Sequence, residues 1–87
     1  MYPVDERILE YLDEESWGAP ASMASDPRFQ QLDADEGYIR QRCEQLVKRE
    51  LVAPVVEGSS MYEISTWGLA YLRGDLDAGH LPRWSVG

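Results

Sequence analysis

The stretch DEGYIRQRCEQLVKREL, residues 35–51, decides how the rest of the chain is read. Ile39, Cys43, Leu46 and Val47 recur at i, i+4, i+7 and i+8, which is one face of a helical period, so a single helix with one buried side is predicted here. Tyr38, Arg40, Gln41, Arg42, Gln45 and Arg49 fall on its other faces. Either Asp33 or Asp35 caps the start, and Asp33 has Glu36 at capping-box spacing. Gly37 is either a tolerated exposed glycine or a point of close backbone approach to a ligand. The helix is expected to fray near Glu50 and Leu51.

Downstream, the run Val52, Ala53, Pro54, Val55, Val56 and the run Met61, Tyr62, Glu63, Ile64 flank a Gly58-Ser59-Ser60 turn. Two β-prone runs around such a turn make a hairpin, and Pro54 assigns the first run to an edge. Tyr62 and Ile64 alternate with Met61 and Glu63, giving a buried and an exposed face. Ser65 or Thr66 then caps a last helix carrying Trp67, Leu69, Ala70, Tyr71 and Leu72, with Arg73 suited to its C-terminal end and residues 75–78 able to extend it.

Upstream, Pro3 can open a helix over residues 3–15, with Asp5 and Glu6 in its first turn and Val4, Ile8, Leu9, Tyr11 and Leu12 as its apolar stripe. Trp17 is expected to cover the core where the chain turns. Residues 20–25 read as a short helix, after which Pro27 forces either a turn or a second short helical piece, with Phe29 and Leu32 as apolar anchors. The order is therefore α+β: a winged helix-turn-helix of three helices, a two-stranded β-hairpin wing and a C-terminal helix. It is assigned to a domain over residues 1–79, with residues 80–87 as a tail that either packs back or mediates self-association.

Composition bounds the function. The 87 residues suffice for one small domain. Sixteen acids against eight bases give a net charge of −8, which disfavours non-specific nucleic-acid binding and fits a salty cytoplasm. At molar salt the Debye length is only about 3 Å, so acidic groups repel DNA little at a distance. The positive charge is not spread evenly: Arg40, Arg42, Lys48 and Arg49, half of the eight bases, sit within the central helix. The single Cys43 lies on the apolar stripe and reads as core, and with one His in the tail neither a metal cluster nor a nucleophile–base set is spelled out. No enzyme activity, cofactor or metal is expected. No apolar run is long enough to span a membrane, and the start is unlike a signal peptide, so a cytoplasmic protein is expected.

Several stretches in combination carry a family likeness: DERILEYL at residues 5–12, YIRQRCEQL at 38–46, LV at 51–52, YEISTWGLAYL at 62–72 and GDLDA at 74–78. Over residues 4–79 the chain resembles the small winged-helix proteins of halophilic archaea that include relatives of a halophage repressor. The resemblance implies a DNA-binding transcription regulator whose third helix enters the major groove. It departs in three places. Where the family has Gly near the end of the reading helix, this chain has Glu50, so a different helix end is expected. The wing tip, Gly58-Ser59-Ser60, lacks the usual Arg or Lys. The segment over residues 24–31 contains Pro27 and reads longer.

On this reading Arg42 pairs with a guanine edge or a phosphate, and Gln41 and Gln45 read adenine edges. Tyr38 packs on the sugar-phosphate backbone, and Arg40 and Arg49 clamp phosphates. Double-stranded DNA is the expected partner, bound by a homodimer. The competing reading is a solvated helix face with pairs such as Arg40–Glu44, on a winged-helix module that docks a protein and reads no DNA.

Overall fold

A computed structural model describes residues 2–74. The first helix, α1, runs Pro3–Glu15 as its stripe predicts, with Pro3 at its first position. Val4, Ile8, Leu9 and Leu12 are all buried. Two short helices follow, α2 (Pro20–Ala24) and α3 (Pro27–Gln30). Of the two options for the segment after Pro27, the second helical piece forms. Asp26 starts it by accepting the Arg28 N–H at 2.8 Å, and it carries Phe29 into the core. The central helix is α4 (Glu36–Lys48), fourth rather than third along the chain because α3 is separate. The wing is β1 (Val52–Pro54) paired antiparallel with β2 (Tyr62–Ile64), and the chain closes on α5 (Thr66–Leu72).

One core unites these elements. Met23 of α2, Phe29 of α3, Ile39, Cys43 and Leu46 of α4, then Leu51, Val52 and Tyr62 join the α1 stripe. Val47, expected inside, is only half-buried at its edge. β1 is shorter than its apolar run, because Val55 and Val56 turn out to solvent. The hairpin turns through Gly58 at φ 82°, with the Ser59 N–H donating to the Val56 carbonyl at 2.8 Å. A third backbone segment joins the wing. Gly18 exchanges both hydrogen bonds with Tyr62, at 2.9 and 2.8 Å. Trp17 is thereby left 53% exposed and does not cover the core, contrary to the sequence expectation.

The ends of α4 settle two open questions. Asp35, not Asp33, caps it by accepting the Tyr38 N–H at 2.8 Å. Asp33 has φ 55° in the preceding turn and takes no part in a capping box. At the other end the helix stops at Lys48, short of the expected fraying point. Glu50 there takes the left-handed conformation, φ 63°, that the family's glycine would supply. The Leu51 N–H donates to the Leu46 carbonyl at 3.0 Å and the Glu50 N–H to the Val47 carbonyl at 2.9 Å. This is the paired hydrogen-bond pattern of a Schellman end, with Leu51 buried on Leu46. The expectation of a different helix end is therefore corrected: the burial of Leu51 holds the cap without a glycine. A left-handed L-residue is strained by about 1–2 kcal/mol, partly offset by the entropy a glycine would lose. Glu50→Gly is expected to stabilise the fold by about 0.5–1 kcal/mol, seen as a higher urea midpoint at unchanged slope.

Ser65 ties this end to α5. Its hydroxyl accepts the Gly68 N–H at 3.0 Å and donates to the Glu50 carbonyl, while its own N–H donates to the Leu51 carbonyl at 3.0 Å. Ser65, rather than Thr66, is thus the cap. The assigned tail, residues 80–87, and the extension over 75–78 lie outside the described residues. No helix among the described residues is long and apolar enough to cross a membrane.

Candidate nucleic-acid interface

Packing against α1 and α2 fixes which side of α4 faces outward. With Ile39, Cys43 and Leu46 fully buried, a helix turning about 100° per residue puts Tyr38, Gln41, Arg42, Gln45 and Arg49 within roughly one 100° sector flanking that buried face, its middle about 120° around the helix from theirs. Arg40 falls outside it, about 150° from the middle of the stripe. Its Nη2 donates to Glu36 Oε2 at 2.8 Å, an exposed pair one turn back rather than the forward pair to Glu44 that its spacing also allowed. Five of the six candidate side chains therefore share a face, and Arg40 does not.

Within the stripe the side chains differ sharply. Gln41 is exposed, Gln45 half-buried and Tyr38 40% exposed. Among the described residues the side chains of Gln41, Gln45 and Arg49 have no hydrogen-bond partner. Gly37, near the helix start, would place an added Cβ 3.7 Å from Asp35 Oδ1, ordinary contact distance, so nothing within the fold requires a glycine there.

Arg42 is committed inward. Its Nε donates to Asp5 Oδ1 at 2.8 Å and its Nη2 to Asp5 Oδ2 at 2.9 Å, a bidentate pair. Asp5 is fully buried and the Arg42 side chain is 19% exposed. The Tyr2 ring lies 4.5 Å from the guanidinium carbon, and the Tyr2 N–H donates to Asp5 Oδ2 at 3.2 Å. The hydrogen bonds it donates to Asp5 hold the Arg42 guanidinium above the ordinary arginine range against the burial that opposes its charge. Held this way, Arg42 anchors α4 on α1, and of its five donors only those on Nη1 and the second on Nη2 remain for the guanine edge or phosphate expected of it. The sequence held a signal for this partner: Asp5 stands three, four and seven residues before Ile8, Leu9 and Leu12, so it lies on the buried stripe of α1.

Other charges are also engaged. Arg28 binds Asp26 Oδ1 at 3.0 Å and Glu14 Oε1 at 2.7 Å and lies over the Tyr11 ring. The Arg28 hydrogen bond holds the Asp26 carboxyl below its ordinary range. Arg7 pairs with Glu10 at 2.9 Å. Of the bases among the described residues, Lys48, Arg49 and Arg73 are in no ion pair, and two of these three end α4. The wing over residues 52–64 has no base and two acids. Burial pushes the Cys43 thiol up to about 12, so it presents no thiolate at neutral pH. No group of three or more metal-ligating side chains occurs among the described residues.

No protein-family model matches the chain, and neither does any curated protein. Among solved structures, the crystal structure of the PhiH1 repressor-like protein from Haloarcula marismortui is similar with a TM-score of 0.82 and 30% sequence identity, over 93% of this chain and 86% of that one. The chain belongs to the PhiH1 repressor-like family. Its winged helix-turn-helix fold is that of a repressor-like protein from a haloarchaeon, as its sequence motifs imply. Within this repressor-like fold, α4 follows the two short helices and precedes the wing. The acidic balance of the chain is relieved on its outward face by Arg49, at the end of the Tyr38–Gln41–Gln45 stripe.

Proposed function

We propose that this PhiH1 repressor-like chain is a sequence-specific DNA-binding transcription regulator that lays α4 in the major groove. The observation that carries the reading is the stripe of Gln41, Gln45 and Arg49, whose side chains have no hydrogen-bond partner among the described residues, beside exposed Tyr38 on a helix whose other side is locked into the core. The exposed glutamine Gln41 suits an adenine edge, and the terminal arginine suits a phosphate. A repressor-like protein of the same fold supports the assignment. Arg42 contributes by holding α4 in place, and Arg40 lies on the flank. One module of this size contacts little DNA, so the working form is a homodimer on half-sites one turn, about 34–36 Å, apart. Such a regulator works in the cytoplasm, where the DNA is.

The test is selection from random duplexes at moderate and high salt. Enrichment of one motif supports the regulator, and Gln41→Ala is expected to weaken binding to that motif by about 1–2 kcal/mol, or roughly tenfold, while leaving random duplex unaffected. Equal anisotropy titrations for Gln41→Ala and parent on the selected duplex would remove Gln41 from the reading face. A second reading is favoured by the wing, whose Val55 and Val56 are exposed and which has no base. It is a winged-helix module that docks a protein partner; absence of any enriched motif at every salt supports it over the regulator.

A further inference from the structure

Beside the stripe of α4 lies a polar cleft of about 340 Å³ lined by Tyr2, Asp5, Arg42, Gln45 and Arg49. Asp5, at its base, does not repel an anion in the way its charge suggests. It is fully buried, one oxygen is taken by Arg42 Nε, and the other by Arg42 Nη2 and the Tyr2 N–H. The pair is neutral, and its geometry is set on three sides by the carboxylate, the Tyr2 ring and the helix. Of the five N–H donors of Arg42, those on Nη1 and one on Nη2 are left over, and Arg42 keeps part of its side chain open to solvent. Gln45 adds an amide without a protein partner, and Arg49 adds a positive charge with no ion pair among the described residues. Fixed donors around one net positive charge are what a singly charged phosphodiester needs.

We propose that this cleft holds one phosphodiester of the DNA backbone, with Arg49 supplying the charge, Gln45 and the spare Arg42 donors supplying hydrogen bonds, and Tyr2 keeping Arg42 in place. The inference rests on α4 being the DNA-reading helix, and it adds the residue ahead of α1 to that interface. A contact of this kind positions the protein without reading sequence, so its loss lowers affinity for every duplex alike.

Anisotropy titrations across a series of KCl concentrations, on the selected duplex and on a random duplex of equal length, test it. Arg49→Ala is expected to weaken both by the same factor and to lower the slope of log K against log salt by about 0.9, one phosphate contact. Tyr2→Ala, an exposed position whose folding is checked by its urea midpoint, is expected to weaken both duplexes alike with the slope unchanged, since no charge is removed. A parental slope for Arg49→Ala, a loss confined to the selected duplex, or parental affinity for Tyr2→Ala overturns the cleft while the regulator reading stands. A parent protein that binds neither duplex at any salt overturns both.

Discussion

Arg42→Ala is expected to lower folding stability by about 3–5 kcal/mol, because it leaves the buried Asp5 carboxylate without its partner. The asymmetry of exposure fixes which member matters more. Asp5 is fully buried, whereas Arg42 retains 19% of its side-chain exposure. Once Asp5 is removed, the guanidinium can turn toward water, so Asp5→Ala is expected to cost less, about 1–3 kcal/mol. Removing both leaves no orphaned charge, and the double variant is expected to be more stable than Arg42→Ala alone. Urea denaturation of the four proteins measures the coupling. Additive costs, or an Arg42→Ala effect no larger than that of an exposed pair such as Arg7–Glu10, would show that the buried pair does not anchor α4. Domains of this size have roughly 5–15 kcal/mol in hand, so Arg42→Ala removes a large share. Any loss of DNA binding in that variant therefore reports folding first, and Gln41→Ala is the cleaner probe of the proposed reading face.

Gly68→Ala is expected to destabilise the protein by about 1–3 kcal/mol, the range for overpacking a filled site. Helix propensity alone argues the reverse, since alanine is favoured over glycine by about 1 kcal/mol inside a helix. Packing wins here because an added Cβ on Gly68 would meet the Leu51 carbonyl oxygen and would lie 2.6 Å from Ile64 Cγ1. The carbonyl is backbone, fixed by accepting the Ser65 N–H and by the helix end before it, and cannot swing aside. To relieve the contact α5 must move off the wing, losing the Ser65 cap or the Leu51 burial. Thermal unfolding decides the sign: a lower midpoint follows from the contact, a higher one from propensity. A raised midpoint would mean that α5 shifts freely on its seat.

Much of this was readable from local pattern. The bounds of α1 follow from Pro3 and the spacing of Val4, Ile8, Leu9 and Leu12, because both act within one helix. The buried face of α4 follows from Ile39, Cys43 and Leu46 for the same reason, and the hairpin from two β-prone runs around Gly58. The candidate site was legible as a stripe, since Tyr38, Gln41, Gln45 and Arg49 repeat at helical spacing. Which of its arginines are free was not. Arg40 and Arg42 are two residues apart in one basic helix, yet Glu36 holds the first at the surface and Asp5, 37 residues away, holds the second inside. Trp17 misled for a similar reason. Its bulk suggests burial, but the backbone of Gly18 pairs with Tyr62 and turns the tryptophan outward.

The sequence by itself determined the succession of first helix, central helix, hairpin and last helix, the core-facing sides of α1 and α4, and the family motifs, because periodicity and capping act between residues a few positions apart. Tertiary structure alone decided that Arg42 serves the fold, that Gly18 joins the wing as a third segment, that Gly68 seats α5 on the Leu51 carbonyl, and that Tyr2 meets α4 at a cleft. Each of these depends on approach between segments distant in the chain. At such a contact, a charge or a glycine has its meaning set by what the fold brings against it.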